Sequence, residues 1–592
     1  MMRKWEGGDP GVPNQKTPTT LLLTPSGEFH SFGFTARDFY HDLDGEESKR
    51  WLYFEKFKMT LHNNENLSRD TPIKAANGKT LPAVRVFAHA LQYFKTHALQ
   101  ELSDQTATDI VNEDIRWVVT VPAIWRQPAK QFMRTAAYEA GIGSADNPDQ
   151  LLIALEPEAA SIYCRKLRMH QLVPEAPSPR RLSMRQEEPV EIISDPAVIE
   201  CADPKTHIIP DAPRNSFCGN PATCTRYMVV DCGGGTVDIT VHELMNQQGS
   251  LKELFKATGG PYGSVGVDQE FENLLNSIFG ADFIEQYKLK RPAGYVDLMI
   301  AFEARKRNAS PFKNNPLNIS LPFSFIDYYK KCKNNSVESA IKKYGQKNVK
   351  WSSQGMLRLE PSAMFSLFQT TVHMIKQHIA NILNNTTVGR IDYIFLVGGF
   401  AESQFVQKEI RDAFSPYLKV VIPQGVSLAI VKGAVLFGLD PTIVNVRRSR
   451  MTYGVGVLNR FIHGVHPPEK LIVKDGVEWC TDVFDKFVVS DQSVGLGDIV
   501  LRSYTPAKAG QACSIIHIYC SELDDVHFIT DPGVMRCGSL TLDLSDSKYL
   551  SNVPRRREIQ TRMVFGDTEI KVTALDVVTG TCVKADIDFL NN

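Results

Sequence analysis

Residues 227–241 read YMVVDCGGGTVDITV. Two β-rich runs flank an aspartate, a cysteine, three glycines and a threonine. Met228–Val230 suits a buried strand, and Val237–Val241 alternates as a second one. The glycines at 233–235 carry no Cβ, so the backbone there can approach a ligand closely and turn its N–H groups inward. A nest of such donors binds phosphate. Asp231, at the strand end, suits a magnesium ion held through water. A plain tight hairpin is the alternative, and the rest of the chain has to decide between the two.

Three further segments bear on that choice. VDLMIAFEARKRNAS (296–310) reads as a helix with Glu303, Lys306, Arg307 and Ser310 on one face, since separations of three, four and seven bring helical residues together. A solvated charged face is the bland alternative. IDYIFLVGGFAESQFVQKEIRDAF (391–414) reads as strand, Gly398-Gly399, then helix. Two glycines at a helix N-terminus admit a phosphate or ribose beside free N–H groups and the positive dipole; a simple strand-to-helix turn is the alternative. ALEPEAAS (154–161) leaves Glu156 at a strand-to-helix junction before Pro157, where it could equally be a helix cap.

The whole chain sets the bounds. Its 592 residues suffice for three or four domain-sized units. Hydrophobic residues make up 43% and charged ones 22%, an ordinary globular balance. Lys plus Arg is 66 against 67 for Asp plus Glu, so no general charge favours nucleic acid or an anionic membrane as partner. No apolar run approaches the roughly 18–20 residues that span a bilayer. MMRKWEGGDPGVPNQ at the start is polar and lacks the apolar core of a signal peptide. The 11 cysteines are scattered, with Cys218 and Cys224 the closest pair, which predicts reduced thiols in a cytoplasmic protein that could also enter the nucleus.

Along the chain, residues 1–167 mix β-rich runs with helical patterns. FAHALQYFKTHALQEL (87–102) is a helix; WVVTVPAIW (117–125) is a short strand stopping at Pro122; KQFMRTAAYEAG (130–141) is a helix ending at Gly141. LLIALEP (151–157) is a strand, and EAASIYCRKLRM (158–169) opens a helix. Residues 168–226 are rich in Pro, Ser and charge without apolar periodicity, which predicts a disordered insertion. Within it, Arg180-Arg181-Leu182-Ser183 has the form basophilic kinases accept. Order returns over 227–441 as alternating strands and helices, and 442–592 is almost wholly β. There, EIKVTALDVVTGTCVKADIDF (569–589) alternates at Ile570, Val572 and Ala574, with Thr579-Gly580 as a turn. Arg555-Arg556-Arg557 reads as a solvated turn or a docking patch.

In this order, the motifs resemble the nucleotide-binding domain of the actin-like ATPases, and among them the 70-kDa heat-shock proteins. DCGGGTVD resembles their second phosphate loop, VVTVPAIW and KQFMRTAAYEAG the strand and helix of the interlobe proline, and ALEPEAAS the first connecting segment. FEARKRNAS resembles the adenosine-binding helix and FLVGGFAES the adenosine loop. WEGGDPGVPNQKTPTT, RDFYHDLD, WLYFEKFKM, ATGGPYGS, LPFSFIDYYKK, KWSSQGMLR and TYGVGVLNR resemble the divergent heat shock 70 kDa protein 12 family, over nearly the whole chain apart from the insertion.

The resemblance implies an α/β fold: a two-lobed, actin-like (ribonuclease H-like) nucleotide-binding domain, each lobe on a five-stranded sheet, followed by a C-terminal β-sandwich-like domain. The lobes would be 1–167 and 227–441, and the β-rich domain 442–592. It implies ATP and Mg2+ as cofactors. Gly233, Gly234, Gly235 and Thr236 would contact phosphates; Asp231 and Glu156 would hold magnesium through water. Glu303, Lys306, Arg307 and Ser310 would surround adenosine, Gly398 and Gly399 would back the nucleotide, and Gly266 would lie near ribose or phosphate. Lys56, with Lys58 as the alternative, would position the attacking water, and Pro122 would be the interlobe switch.

The chain also departs from the family's pattern. Actin-like ATPases open with D-x-G-T-[TS], a first phosphate loop, and no such segment stands here. The reading is a shortened N-terminus, whether a truncated gene model, an alternative start or a genuine short form. Hydrogen bonds to charged groups are worth ~1.5–3 kcal/mol each, so losing two or three costs roughly 3–9 kcal/mol of phosphate binding, about two to six decades in affinity. Unpaired strand edges should follow in the first lobe. Phe400, Ala401 and Glu402 replace the usual small and basic residues of the adenosine loop, Pro423-Gln424 stands for Pro-Asp, and TIVNVRRSR (442–450) replaces the leucine-rich acidic linker. The β-tail is expected to carry no helical lid.

The expectation is an atypical 70-kDa heat-shock-like ATP-binding protein, a weak and slow ATPase acting on protein clients or signalling proteins. A non-catalytic nucleotide-sensing scaffold is the alternative. A small-molecule kinase of the same superfamily is disfavoured by the β-tail.

Overall fold

The computed structural model describes Trp5 and residues 15–167, 225–246, 249–352, 354–474, 476–505, 513–544, 558–577, 580 and 582–590. The insertion up to Cys224, with Ser183, Cys218 and Cys224 in it, lies outside the described residues, as do Arg555–Arg557 and Thr579.

A seven-stranded central sheet is built around the quoted stretch. Its spatial order is Lys419–Val421, Tyr393–Val397, Arg226–Cys232, Val237–Leu244, Leu251–Gly260, Val444–Arg448 and Ser493–Gly495. Arg226–Cys232 and Val237–Leu244 form an antiparallel hairpin in which Asp231 faces Asp238 and Cys232 faces Val237. Tyr393–Val397 adds parallel to Arg226–Cys232, and Lys419–Val421 parallel to Tyr393–Val397. Arg226–Cys232 is paired on both edges and covered on both faces, which is why six of its seven residues are buried and its sequence is nearly all apolar.

Two strand–helix–strand–helix units of the same kind occur. One is Trp117–Val121, Gln127–Glu139, Leu151–Leu155 and Glu156–Cys164; the other is Tyr393–Val397, Gln404–Phe414, Lys419–Val421 and Ala429–Leu439. In each, the two strands run parallel. Their last helices pack together so closely that a Cβ on Gly433 would collide with the Ala159 carbonyl. Helix Gln127–Glu139 starts with Pro128 in its first turn and stops before Gly141, whose φ of 72° is the left-handed end that glycine accepts.

The central sheet has seven strands where five were expected in each half. In the N-terminal half, the described residues form a three-stranded antiparallel sheet (Phe29–Phe32, Thr20–Leu23, Leu52–Glu55) and a separate parallel pair, Trp117–Val121 with Leu151–Leu155. Among the described residues, Trp117–Val121 and Leu151–Leu155 pair only with each other.

Beyond Arg448 the described structure is β, apart from the single turn Pro468–Lys470. Nine antiparallel strands run from Leu471–Lys474 at one edge to Ile499–Tyr504 at the other, around Val455, Ile518, Leu540, Ile559 and Met563. Val444–Arg448 is not among them: it joins the central sheet parallel to Leu251–Gly260. The C-terminal sheet rests on helix Gln127–Glu139. Lys130 Nζ donates to the Thr568 carbonyl at 3.0 Å, Gln131 Nε2 to the Ile587 carbonyl at 3.0 Å, and Arg134 Nη2 to Glu569 Oε2 at 2.6 Å. Among the described residues no helix is long and apolar enough to cross a membrane.

Candidate functional site

The glycine loop caps the hairpin. The Gly233 N–H donates to the Thr236 carbonyl at 2.9 Å, closing the turn. The carbonyls of Gly233, Gly234 and Gly235 accept from Ser264, Val265 and Gly263, so their oxygens face the segment that opens helix Val265–Phe279. The N–H groups of Gly234 and Gly235 make no hydrogen bond among the described residues. Gly266, in the first turn of that helix, would place a Cβ 2.5 Å from Thr371 Oγ1. On the other side, Met59 from the turn Phe57–Leu61 fills the space a Cβ on Gly235 would take. The loop therefore faces the N-terminal half of the molecule.

Three acidic groups gather beneath the loop. Asp231 is 2% exposed and its Oδ1 has no partner. Gly398, at φ 91°, lies so close to that oxygen that any side chain there would collide with it. Burial, then the neighbouring Glu156 and Asp238, push the Asp231 carboxyl well above the carboxylate range. Asp238 is pushed up to about 6 by burial and Glu156. Its Oδ1 accepts the Ile124 N–H at 2.9 Å, two residues past buried Pro122, while Oδ2 has no partner.

Lys58 reaches the cluster, its Nζ donating to Glu156 Oε1. Burial pulls its pKa down, but Glu156 outweighs that and raises it, with Asp231 and Asp238 adding to the effect. Lys56 turns elsewhere. It sits in the left-handed region at φ 53°, and its Nζ pairs with Asp268 Oδ2 at 2.8 Å. Of the two lysines offered by the sequence, Lys58 is the one among the acids. Lys16 approaches from a third side, with Nζ 3.7 Å from where a Cβ on Gly399 would stand. Gly398 and Gly399 open not an α-helix but the short turn Phe400–Glu402, before helix Gln404–Phe414.

The helix expected over 296–310 runs Pro292–Asn308, so Ser310 falls beyond its end. Lys306 is 6% exposed and pairs with Asp268 Oδ1 at 2.6 Å and with Glu303. Arg307 is 71% exposed and pairs with Glu303 Oε1 at 2.8 Å. Burial pushes the Glu303 carboxyl up, but Lys306 and Arg307 outweigh it and hold it at about 2. Lys56–Asp268–Lys306–Glu303–Arg307 thus forms one chain of charges running from the N-terminal half to this helix.

Sequence reasoning missed Asp238, Asp268, Lys16 and Met59. Asp238 was findable, because a hairpin closing at Cys232 and Val237 places it opposite Asp231. Asp268 lies one helical turn into GVDQEF, with nothing local to mark it.

These residues fit magnesium and a polyphosphate at one end. Unpartnered carboxylate oxygens at Asp231 and Asp238 suit a hydrated cation, and free amides at Gly234 and Gly235 suit phosphate oxygens. Among the described residues no three His, Cys, Asp or Glu side chains converge to grip a metal directly. The other end is closed on itself, since Glu303, Lys306 and Arg307 already satisfy one another.

Comparison with known proteins agrees with the motifs. No family model matches the chain. Heat shock 70 kDa protein 12A of Mus musculus and that of Homo sapiens are each 58% identical to it over 600 residues, covering 100% of this chain and 88% of theirs. Heat shock 70 kDa protein 12B of Homo sapiens is 56% identical over the same span. All three relatives are 70-kDa heat-shock proteins by name. At this identity over the full chain, the protein belongs to the heat shock 70 kDa protein 12 family.

Proposed function

We propose that the chain is an atypical ATP-binding member of its family, a slow magnesium-dependent ATPase acting on protein partners in the cytoplasm. Residues 1–167 and 227–441 are read as two lobes around the nucleotide, with 442–592 as a β-rich partner-facing domain whose first strand is lent to the second lobe. The observation that carries the reading is buried, unpartnered Asp231 beneath the free amides of Gly234 and Gly235, with Lys58 reaching in from the other half.

In this reading Gly234 and Gly235 donate to phosphate oxygens, and Asp231 and Glu156 orient the waters of a hydrated cation. Magnesium, when bound, neutralises charge on the phosphates. Lys58, freed from Glu156, donates to the attacking water and holds it in line. The work is positioning and electrostatic stabilisation. Lys306 and Glu303 meet adenosine once their mutual pairs loosen.

A non-catalytic nucleotide-sensing scaffold is the second reading. It is favoured by Met59 against Gly235 and by the self-paired adenosine residues. Magnesium-dependent ATP turnover separates the two. The ATPase reading expects slow turnover that Asp231→Ala and Glu156→Ala each reduce at least tenfold; turnover absent from the wild type leaves the scaffold.

A further inference from the structure

The C-terminal sheet holds a group of sulfur side chains that the nucleotide reading does not use. Strands Cys513–Ser521 and Val534–Asp543 pair antiparallel, with Cys520 opposite Met535. Residues directly opposite share a face, so these two side chains stand side by side. Tyr519 faces Arg536 and Ile518 faces Gly538, which makes Cys537 the extra residue of a bulge in the second strand. The Cys537 thiol is in hydrogen-bond contact with Cys520. Both cysteines are buried, and neither is in a disulfide.

A cleft of about 360 Å3, counting its open mouth, lies between this sheet and the start of helix Gln127–Glu139. Cys520, Cys537, Met535 and Met451 all line it. Met451 is buried and comes from the short link between Val444–Arg448 and Thr452–Arg460. Four sulfurs from three chain segments therefore border one space. Arg126 lines the same cleft, with Nη1 3.2 Å from Met535 Sδ. Its Nε is buried without a partner, as is Nη1 of Arg450, the residue before Met451. Buried N–H groups without acceptors are a cost that a nearby anion would lift. The contact with Cys520, then burial, push the Cys537 thiol well above the usual thiol range, so it keeps its proton until a metal displaces it.

We propose that this cleft is a binding site for a soft monovalent cation, Cu(I), held by Cys520 and Cys537 as thiolates and by the thioethers of Met535 and Met451. Thiolate and thioether sulfur together select Cu(I). Zinc takes cysteine, histidine and carboxylate ligands, and a set completed by two thioethers does not suit it. Each thiol gives its proton to solvent as it binds, and copper stays in the +1 state, so no oxidant or reductant is consumed. Two thiolates and Cu(I) sum to a single negative charge, which the guanidiniums of Arg126 and Arg450 offset. Nothing in the spacing of the two cysteines marks the site, because strand pairing and the bulge bring them together.

The test supplies Cu(I) to the reduced full chain without oxygen, as its bathocuproine disulfonate complex, and follows the loss of the complex's colour. The wild type should withdraw one equivalent, at least tenfold more tightly than Cys520→Ser or Cys537→Ser. Met535→Leu conserves volume, should keep the fold by circular dichroism, and should weaken binding several-fold. Cys332→Ser, at an exposed thiol elsewhere, should bind as the wild type does. X-ray absorption at the copper edge should show sulfur neighbours alone, and excess Zn(II) should not displace the metal. Affinity unchanged in both cysteine variants and in Met535→Leu, or nitrogen and oxygen neighbours around the copper, would overturn the proposal. So would a Cys520–Cys537 disulfide whose reduction brings no copper uptake, because the pair would then be a redox couple only.

Discussion

Asp231 and Glu253 are both carboxyls buried in the central sheet, yet they answer to different neighbours. Asp231 has an oxygen without a partner beneath a loop of free amides, which is a cost unless something binds there. Glu253 has its partner: Oε2 accepts the Arg448 N–H at 2.7 Å, fastening Val444–Arg448 to the sheet. Burial and nearby Glu158 push the Glu253 carboxyl up to about 8. An acid whose folded pKa is raised stabilises the fold fully below its ordinary value and loses that contribution as pH rises through the folded one, here from about 4.5 to about 8. Between pH 6 and 9 the thermal midpoint of the wild type should therefore fall faster than that of Glu253→Gln, at a slope of up to ~1.4 kcal/mol per pH unit. A constant difference between the two proteins across that range would contradict the assignment.

At the scale of elements, a buried ion pair helps hold the connection from the central sheet to the C-terminal sheet. Arg447 grips Glu158 through two bonds, at 2.8 and 2.9 Å, with the side chains 8% and 1% exposed. Glu158 stands in the first turn of the helix that opens with Glu156, so the pair ties the carboxylate cluster's own helix to the linker strand. Removing one partner of such a pair strands the other charge and costs about 3–5 kcal/mol. Glu158→Leu and Arg447→Met should each lower the urea midpoint clearly, and the double variant should recover most of the loss. Equal, additive losses would contradict the coupling.

Which elements were legible follows the same logic. Helix Gln127–Glu139 carried its own proline start and glycine stop, and LLIAL its own apolar run. VNVRR reads as β but carries no mark of which sheet it joins, because its partner lies in Leu251–Gly260. The end of helix Pro292–Asn308 before Ser310 was legible from Pro311, because the residue before a proline is pushed out of helical backbone.

At the scale of the whole molecule, the motifs singled out the glycine loop with Asp231 and Glu156 but not Asp238, and the relatives at 56–58% identity fix the family. What the motifs could not say is how the halves meet. Lys58 rather than Lys56 joins the acids because the backbone at Lys56 is left-handed and sends its side chain to Asp268. Met59 against Gly235, and the charge chain from Lys56 to Arg307, likewise arise only from residues far apart in sequence. In the proposed reading, the mutual pairing of Glu303, Lys306 and Arg307 makes nucleotide binding weak.

Isothermal titration of magnesium-ATP into the wild type, Asp231→Ala and Lys58→Met tests this most directly. Binding in the micromolar range or weaker is expected for the wild type, with a further loss of at least tenfold in both variants. Submicromolar affinity in the wild type, or affinity unchanged by either substitution, would contradict it.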